Sequence, residues 1–264
     1  MRKVAHTPIH IHTKPKGTGR LPVLFSYQGE THMKKKSEDT KLFVSTRLTA
    51  KLEGVTGITT SCRKCKFCKV QWKFLEEHPE LAESHICSHC YAYRTAENGW
   101  SCWDNYDRNT VILAGNMHRS DLPNLTYTNA GSPFVRFNTH GEAPNEKCII
   151  NFYKIARRNP NFRFALWTKR WGLLYNLAKR SGIRPPRNLT IVISSPLLGV
   201  DVSRKSLDML ESVGVHPDVV FTVHTKEDIE QNNVQINCGK RKCVECRKCY
   251  RHHSKTIYVR EELK

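Results

Sequence analysis

The chain has 264 residues, 39% of them hydrophobic, enough for a buried core in one large domain or two small ones. Lysine and arginine outnumber aspartate and glutamate by 43 to 24, a formal net charge of +19, and a field of that sign favours polyanions or anionic small molecules as partners. No apolar run reaches membrane-spanning length and the N-terminal MRKVAHTPIHIHTKPKG has no apolar h-region, so neither a membrane protein nor an exported one is expected. The eleven cysteines are then expected to work as thiols and metal ligands in a reducing cytoplasm.

Residues 1–50 read as a basic, partly extended arm, with Pro, Gly, His, Thr and the Lys34–Lys36 triplet giving little periodicity over the first forty. Within it the HIH of His10–His12 could bind a metal or simply alternate in a strand. GVTGITTS (54–61) can supply a first strand, and the stretch 91–119, which holds Trp100, Trp103 and Tyr106, its helix. From residue 134 the pattern becomes regular. FVRFNT (134–139), RFALWTK (163–169), NLTIVISS (188–195) and DVVFTVHT (218–225) read as strands. Between them NEKCIINFYKIARR (145–158), RWGLLYNLAKRSG (170–182) and SRKSLDMLESVG (203–214) carry apolar residues at helical spacing, and the second ends at a glycine suited to a C-cap. A short helix, KEDIEQNN, closes the series.

Strand starts at 134, 163, 188 and 218 repeat at the interval of successive βα units, which predicts an α/β fold with a parallel sheet. Five to six such units make a partial (β/α) barrel over 51–235, with a doubly wound open sheet as the alternative, followed by a cysteine-rich metal-binding tail over 236–264. In either architecture the working groups lie on loops at the carboxyl ends of the strands. Those ends carry Asn138-Thr139-His140-Gly141-Glu142, Thr168-Lys169, Ser194-Ser195 and His224-Thr225.

Nine cysteines fall into two groups. The first is Cys62, Cys65, Cys68, Cys87 and Cys90; the second, CGKRKCVECRKC, contains Cys238, Cys243, Cys246 and Cys249. C-x2-C spacing lets two thiolates reach one ion or cluster from a tight turn, so both groups point to metal. The second group could close a tetrahedral zinc site or hold an iron–sulfur cluster. The first has one thiol more than a closed site needs: three could hold a cubane cluster with an open iron, or four could bind zinc. Cys102 and Cys148 read as buried small hydrophobes.

Phe67-Cys68, ICSHCYA (86–92), VRFNTHGE (135–142), FALWTKR (164–170), ISSP (193–196), VFTVH (220–224) and INCGKRKCVECRKCY (236–250) together resemble the phage gene product 88 family and, through it, the radical S-adenosylmethionine (radical SAM) superfamily. The resemblance spans about residues 50–260. It implies a 4Fe–4S cluster on Cys68, Cys87 and Cys90, S-adenosylmethionine on the open iron, and Gly141-Glu142 against the methionine amino group. Cys62-x2-Cys65-x2-Cys68 is the rival triad. The superfamily spacing is C-x3-C-x2-C with an aromatic just before the last cysteine; here the first gap is eighteen residues and Tyr91 follows Cys90.

Two functions follow as expectations. In one, the chain is an iron–sulfur enzyme that generates a 5′-deoxyadenosyl radical and acts on an anionic, nucleotide or nucleic-acid-related substrate, with an electron donor as partner. Asn138, His140, Lys169, Ser194 and His224 are then cofactor or substrate contacts, and the C-terminal cysteines hold a second 4Fe–4S cluster or zinc. In the other, zinc or iron–sulfur knuckles stabilise a basic platform that binds nucleic acid, with Trp100, Trp103 and Tyr106 stacking on bases. A metal-dependent nuclease has less support, because no compact carboxylate cluster is apparent.

Overall fold

Each strand that the pattern predicts from Phe134 onward forms, and each pairs in parallel with the next. The computed structural model describes residues 41–90, 92 and 102–263, which belong to one compact unit. The strands are β1 (Thr56–Ile58), β2 (Phe134–Phe137), β3 (Arg163–Thr168), β4 (Leu189–Ser194), β5 (Val219–His224) and β6 (Ile257–Glu262). They form one sheet in the order β1-β2-β3-β4-β5-β6, open between β1 and β6. The order follows the chain without reversal, so the sheet lacks the switch point of a doubly wound fold. Right-handed crossovers that always step the same way carry the connecting helices to one face.

Those helices are α1 (Lys66–Glu77) and α2 (Cys102–Ala114) after β1, α3 (Glu146–Arg158) after β2, α4 (Trp171–Ser181) after β3, α5 (Arg204–Ser212) after β4 and α6 (Lys226–Asn232) after β5. Their starts are written locally. Asn145, Ser203 and Thr225 each accept a bond from the backbone three residues on, satisfying donors that a helix leaves orphaned. Gly182 ends α4 at φ +70°, the left-handed cap the sequence predicts.

Alternate strand residues separate into two apolar sets. Val135, Phe137, Phe164, Leu166, Ile191 and Ile193 pack with Ile149, Phe152, Ile155, Leu174, Leu177 and Leu207 of the helices. Phe137 stacks on Phe152 at 4.3 Å and on Phe164 at 5.1 Å; burying such a side chain contributes about 1.5–3 kcal/mol. The second face carries Phe134, Ala165, Trp167, Val192, Val219, Phe221 and Val259, and it is covered by Val55, Tyr250 and the segment holding Cys238, Cys243 and Cys249. With both faces buried, β3 and β4 read as near-continuous apolar runs. Residues before β1 lie over this second face as well: Lys51 forms an ion pair with Glu261 of β6, its ammonium 5.7 Å from the Phe221 ring centre.

The structure alters several expectations. β1 is three residues long, because Gly54 turns the chain at φ +81° and Thr59 and Thr60 already bond to residues after β2. The helix expected within 91–119 is confined, among the described residues, to α2 and to a helical Ala92. Trp100, His10–His12 and the first forty residues lie outside the described residues. α1 is an addition to the expected elements; it begins inside what reads as a cysteine loop. β6 falls within the 236–264 tail and pairs with β5 over six residues, so the tail contributes a strand to the sheet. No helix among the described residues is long and apolar enough to cross a membrane.

Candidate functional site

The loops after β1 and β2 are stitched together at the carboxyl end of the sheet. Thr59 donates its hydroxyl to the His140 carbonyl at 2.7 Å and accepts the His140 amide at 2.9 Å. Thr60 donates to the Glu142 carbonyl at 3.2 Å. Asn109 of α2 donates to the Thr59 carbonyl, and Thr110 accepts the Ser61 amide. Gly141, at φ +62°, lies so close to this loop that a Cβ would stand 2.8 Å from the Ser61 carbonyl oxygen and 2.8 Å from Thr60 Oγ1. Only glycine fits there without strain.

The cysteines that follow divide unequally. Cys62 borders the site but is engaged elsewhere: it packs with Trp103, Tyr106 and Ala92, donates its thiol to the Ala92 carbonyl at 3.1 Å, and is pushed up to about 12, chiefly by burial. Cys65 caps α1 and accepts the Cys68 amide at 3.4 Å. The Cys68 thiol lies within hydrogen-bonding reach of Cys65, Cys87 and Cys90, with its sulfur 3.8 Å from that of Cys87. Cys68 is driven up because it shares its proton with its neighbours. Cys65 is lowered by the bond from Cys68, and Cys87 is drawn down to about 5 by Cys68, then by His85 and Lys169, against burial. Four sulfurs thus gather, two of them inclined to be thiolates, which is the ionisation metal binding requires.

The Cys87 turn is anchored from behind. His85, buried, accepts the Cys87 amide on Nδ1 at 3.1 Å, and the Ile86 amide donates to the Pro196 carbonyl at 2.9 Å. The ISSP segment after β4 therefore positions a thiol-bearing turn.

Facing the thiols is an ion pair whose carboxylate is buried and whose ammonium is partly exposed. Glu142 accepts the Thr168 hydroxyl at 2.7 Å and the Lys169 amide at 2.9 Å, with Lys169 Nζ at 3.8 Å. Burial raises the Glu142 carboxyl, although Lys169 and these bonds oppose it. Burial works against the Lys169 ammonium too, yet Glu142 and the thiols of Cys87, Cys90 and Cys68 outweigh it and hold the ammonium charged. Asn138, at φ +57°, donates to the Trp167 carbonyl at 3.2 Å. His140 stacks on Tyr106 at 5.3 Å and is lowered to about 4, by burial first and Arg136 second.

These groups border one cavity of about 490 Å³. Its lining takes in Cys62, Cys65, Cys68, Cys87, Cys90, Gly141 and Glu142, together with Asn138, His140, Lys169, Ser194, Arg136, Trp167 and Phe221. His224 does not line it. Period-two alternation along β5 turns Phe221 and Val223 to the cavity, and His224 pairs instead with Asp228. Trp103 and Tyr106 are buried at 2% and 5% exposure, which removes them as base-stacking surfaces.

Cys238, Cys243, Cys246 and Cys249 line a second, smaller cavity of about 50 Å³, walled by Arg136, Trp167 and Lys51. Burial raises the thiols of Cys238, Cys243 and Cys249. Cys148 is fully buried, as expected. Among the described residues no three or more His, Cys, Asp or Glu side chains stand as a finished metal cage; the thiols converge without being arranged around an ion.

Sequence reasoning missed two features. Cys65-x2-Cys68 and Cys87-x2-Cys90, eighteen residues apart, form two C-x2-C pairs at the separation of a four-thiolate site, a signal that would have favoured Cys65 over Cys62. Arg136 is a lone cation in the apolar strand FVRF, and that contrast marked it.

The search of curated proteins finds no match, nor does the search of solved structures. The family model described as Gene product 88 matches residues 24–259, which takes in β1 to β5 and the start of β6, both cysteine groups and the Gly141-Glu142 turn. The chain belongs to the Gene product 88 family.

Proposed function

We propose that the chain is a radical S-adenosylmethionine-type iron–sulfur enzyme of the cytoplasm, built on a partial (β/α) barrel and acting on an anionic substrate related to nucleotides or nucleic acid. The observation that carries this reading is the shared cavity: thiols, Gly141-Glu142 and Lys169 open onto one chamber of about 490 Å³ at the carboxyl ends of parallel strands. A centre that only staples a fold needs no chamber; one that holds a small molecule does. Sequential strand order, with a cavity on the second face, supports the partial-barrel reading.

The donors fit the implied group, since thiolates are the soft ligands that iron–sulfur clusters take. Cys68, Cys87 and Cys90 would hold a 4Fe–4S cluster, leaving one iron for S-adenosylmethionine. When bound, the cluster and S-adenosylmethionine would supply one-electron radical chemistry, the electron coming from an external donor. The residues of the chain set the conditions. Lys169 balances the thiolates with a charge that Glu142 holds in place. Glu142 is held in one orientation by Thr168 and the Lys169 amide, and a carboxylate so fixed could accept from an amino group bound in the chamber. Trp167 and Phe221 give the chamber an apolar wall. The C-terminal thiols, which line the void of about 50 Å³, would hold a second cluster or zinc.

A second reading has its own observation. Four sulfurs bound to one zinc at about 2.3 Å stand about 3.8 Å apart in a tetrahedron, and the Cys68–Cys87 separation is 3.8 Å. With Cys65 as the fourth ligand the site would be closed and structural, in a basic protein that binds nucleic acid. Anaerobic purification with iron, sulfide and zinc analysis, followed by dithionite reduction with S-adenosylmethionine, separates the two. Brown protein that yields 5′-deoxyadenosine is expected; colourless, zinc-only protein that yields none overturns the enzyme reading.

A further inference from the structure

Arg136 projects from β2 onto the face that encloses both cavities, and the register explains how it fits: its neighbours across the sheet are Gly57 on β1 and Ala165 on β3. Two small residues at that level leave room for a guanidinium, which lies 3.9 Å from the Trp167 ring centre. No carboxylate pairs with it among the described residues, and its buried Nε has no hydrogen-bond partner. The Trp167 indole Nε1 is likewise buried and unpartnered. By contrast Lys51 has Glu261 and Lys169 has Glu142. Arg136 is half-buried with its Nε fully so, and a cation in a partly desolvated wall is stabilised by an anion that pairs with it.

We infer that Arg136 and Trp167 form an oxyanion-binding subsite in the wall of the large cavity, which takes a phosphate or carboxylate group of the substrate. A guanidinium stacked on an aromatic face is held in one plane and can offer parallel N–H donors to such a group. The Phe221 ring, its centre 4.5 Å from that of Trp167, extends an apolar surface beside it. The inference rests on the cavity being the substrate chamber proposed above, not on the chemistry performed there.

The test is binding without turnover, at fixed ionic strength, on the full chain as isolated anaerobically. Phenyl phosphate is compared with phenol, and benzoate with benzyl alcohol, by calorimetry and tryptophan fluorescence. The wild type is expected to bind at least one charged member about tenfold tighter than its neutral partner, the size of one or two charge-assisted hydrogen bonds. The phosphate and carboxylate arms identify which oxyanion it is. Arg136→Met should erase the preference and Arg136→Lys should keep part of it, which holds the test open if the methionine variant folds poorly. No preference in either pair, or one that survives Arg136→Met, overturns the inference. So does loss of metal from the C-terminal thiols in Arg136→Met with the preference intact, since the guanidinium would then serve those thiols. A failed 5′-deoxyadenosine assay leaves these outcomes unchanged, so the two proposals fail separately.

Discussion

Replacing Gly141 with alanine should be among the most damaging single-methyl changes in the chain, and the structure separates its causes. A left-handed φ of +62° costs a residue with a Cβ roughly 1–2 kcal/mol. The added Cβ would also sit 2.8 Å from the Ser61 carbonyl oxygen and 2.9 Å from its carbon. These are backbone atoms that cannot swing aside, and overpacking of that kind adds about 1–3 kcal/mol. The sum is about 2–5 kcal/mol, a large share of a typical domain stability of about 5–15 kcal/mol. Gly182 is the internal control: its φ is +70°, but nothing lies within 4 Å of the position a Cβ would take, so Gly182→Ala should cost only the conformational part. Urea unfolding followed by circular dichroism gives both values. The difference between them measures the approach of the two loops, and metal content should fall in Gly141→Ala alone as the Ser61–Cys62 backbone is pushed off Glu142. Equal destabilisation of the two variants, within about 0.5 kcal/mol, would refute the close contact.

Among the thiols, Cys65→Ala and Cys62→Ala should part ways: Cys62→Ala keeps the metal of the first group, because that thiol is spent on the Ala92 carbonyl. Under the closed four-thiolate reading Cys65→Ala loses the metal, whereas with an open cluster on Cys68, Cys87 and Cys90 it is kept; metal analysis of the two variants decides. His140 should titrate near 4 by NMR. Between about 6.5 and 4 the unfolded chain takes up the proton that the folded ring refuses, so stability falls as pH drops through that window, by up to about 3 kcal/mol. His140→Gln should flatten that part of the pH profile, and an unchanged slope would count against the assignment. Asp218→Ala should destabilise by about 3 kcal/mol, because the buried carboxylate accepts the Ile191 amide at 2.9 Å and contacts His252 Nδ1 at 2.9 Å; chemical denaturation checks it.

The repeat of apolar runs made β2 to β5 and their helices readable, and the caps at Asn145, Ser203, Thr225 and Gly182 were written in single residues. Strand order was not readable, because periodicity records which face is buried but not which strand lies beside which. β6 was overlooked for a local reason: only Ile257 and Val259 join the second-face core, and charged residues follow them. The site was half legible. Glu142 and Lys169 could be placed at strand ends, but their ion pair depends on β2 and β3 being neighbours. Cys62, Cys65 and Cys68 are evenly spaced, and nothing in that spacing says which turns inward. The answer lies in where α1 starts: Cys65 is its cap, and the Cys68 amide bonds back to it, which sets both sulfurs at one helix end and leaves Cys62 a turn behind. His224 sits at a strand end like the others, but its place in the alternation of β5 aims it away.

An open sheet has two free margins, and unpaired margins template association between chains. At β1 the backbone of Ser45 exchanges two hydrogen bonds with Gly57. At β6 the amides of Asn237 and Cys238 donate to the Arg260 carbonyl, while the Asn237 side chain bonds to Tyr258 and Arg260. The cover on β6 is thus the first stretch of the same segment that carries the C-terminal thiols. Whatever loosens that segment, whether oxidation, chelation or proteolysis, uncovers Ile257–Val259 as a bare edge, and self-association would be its first visible symptom.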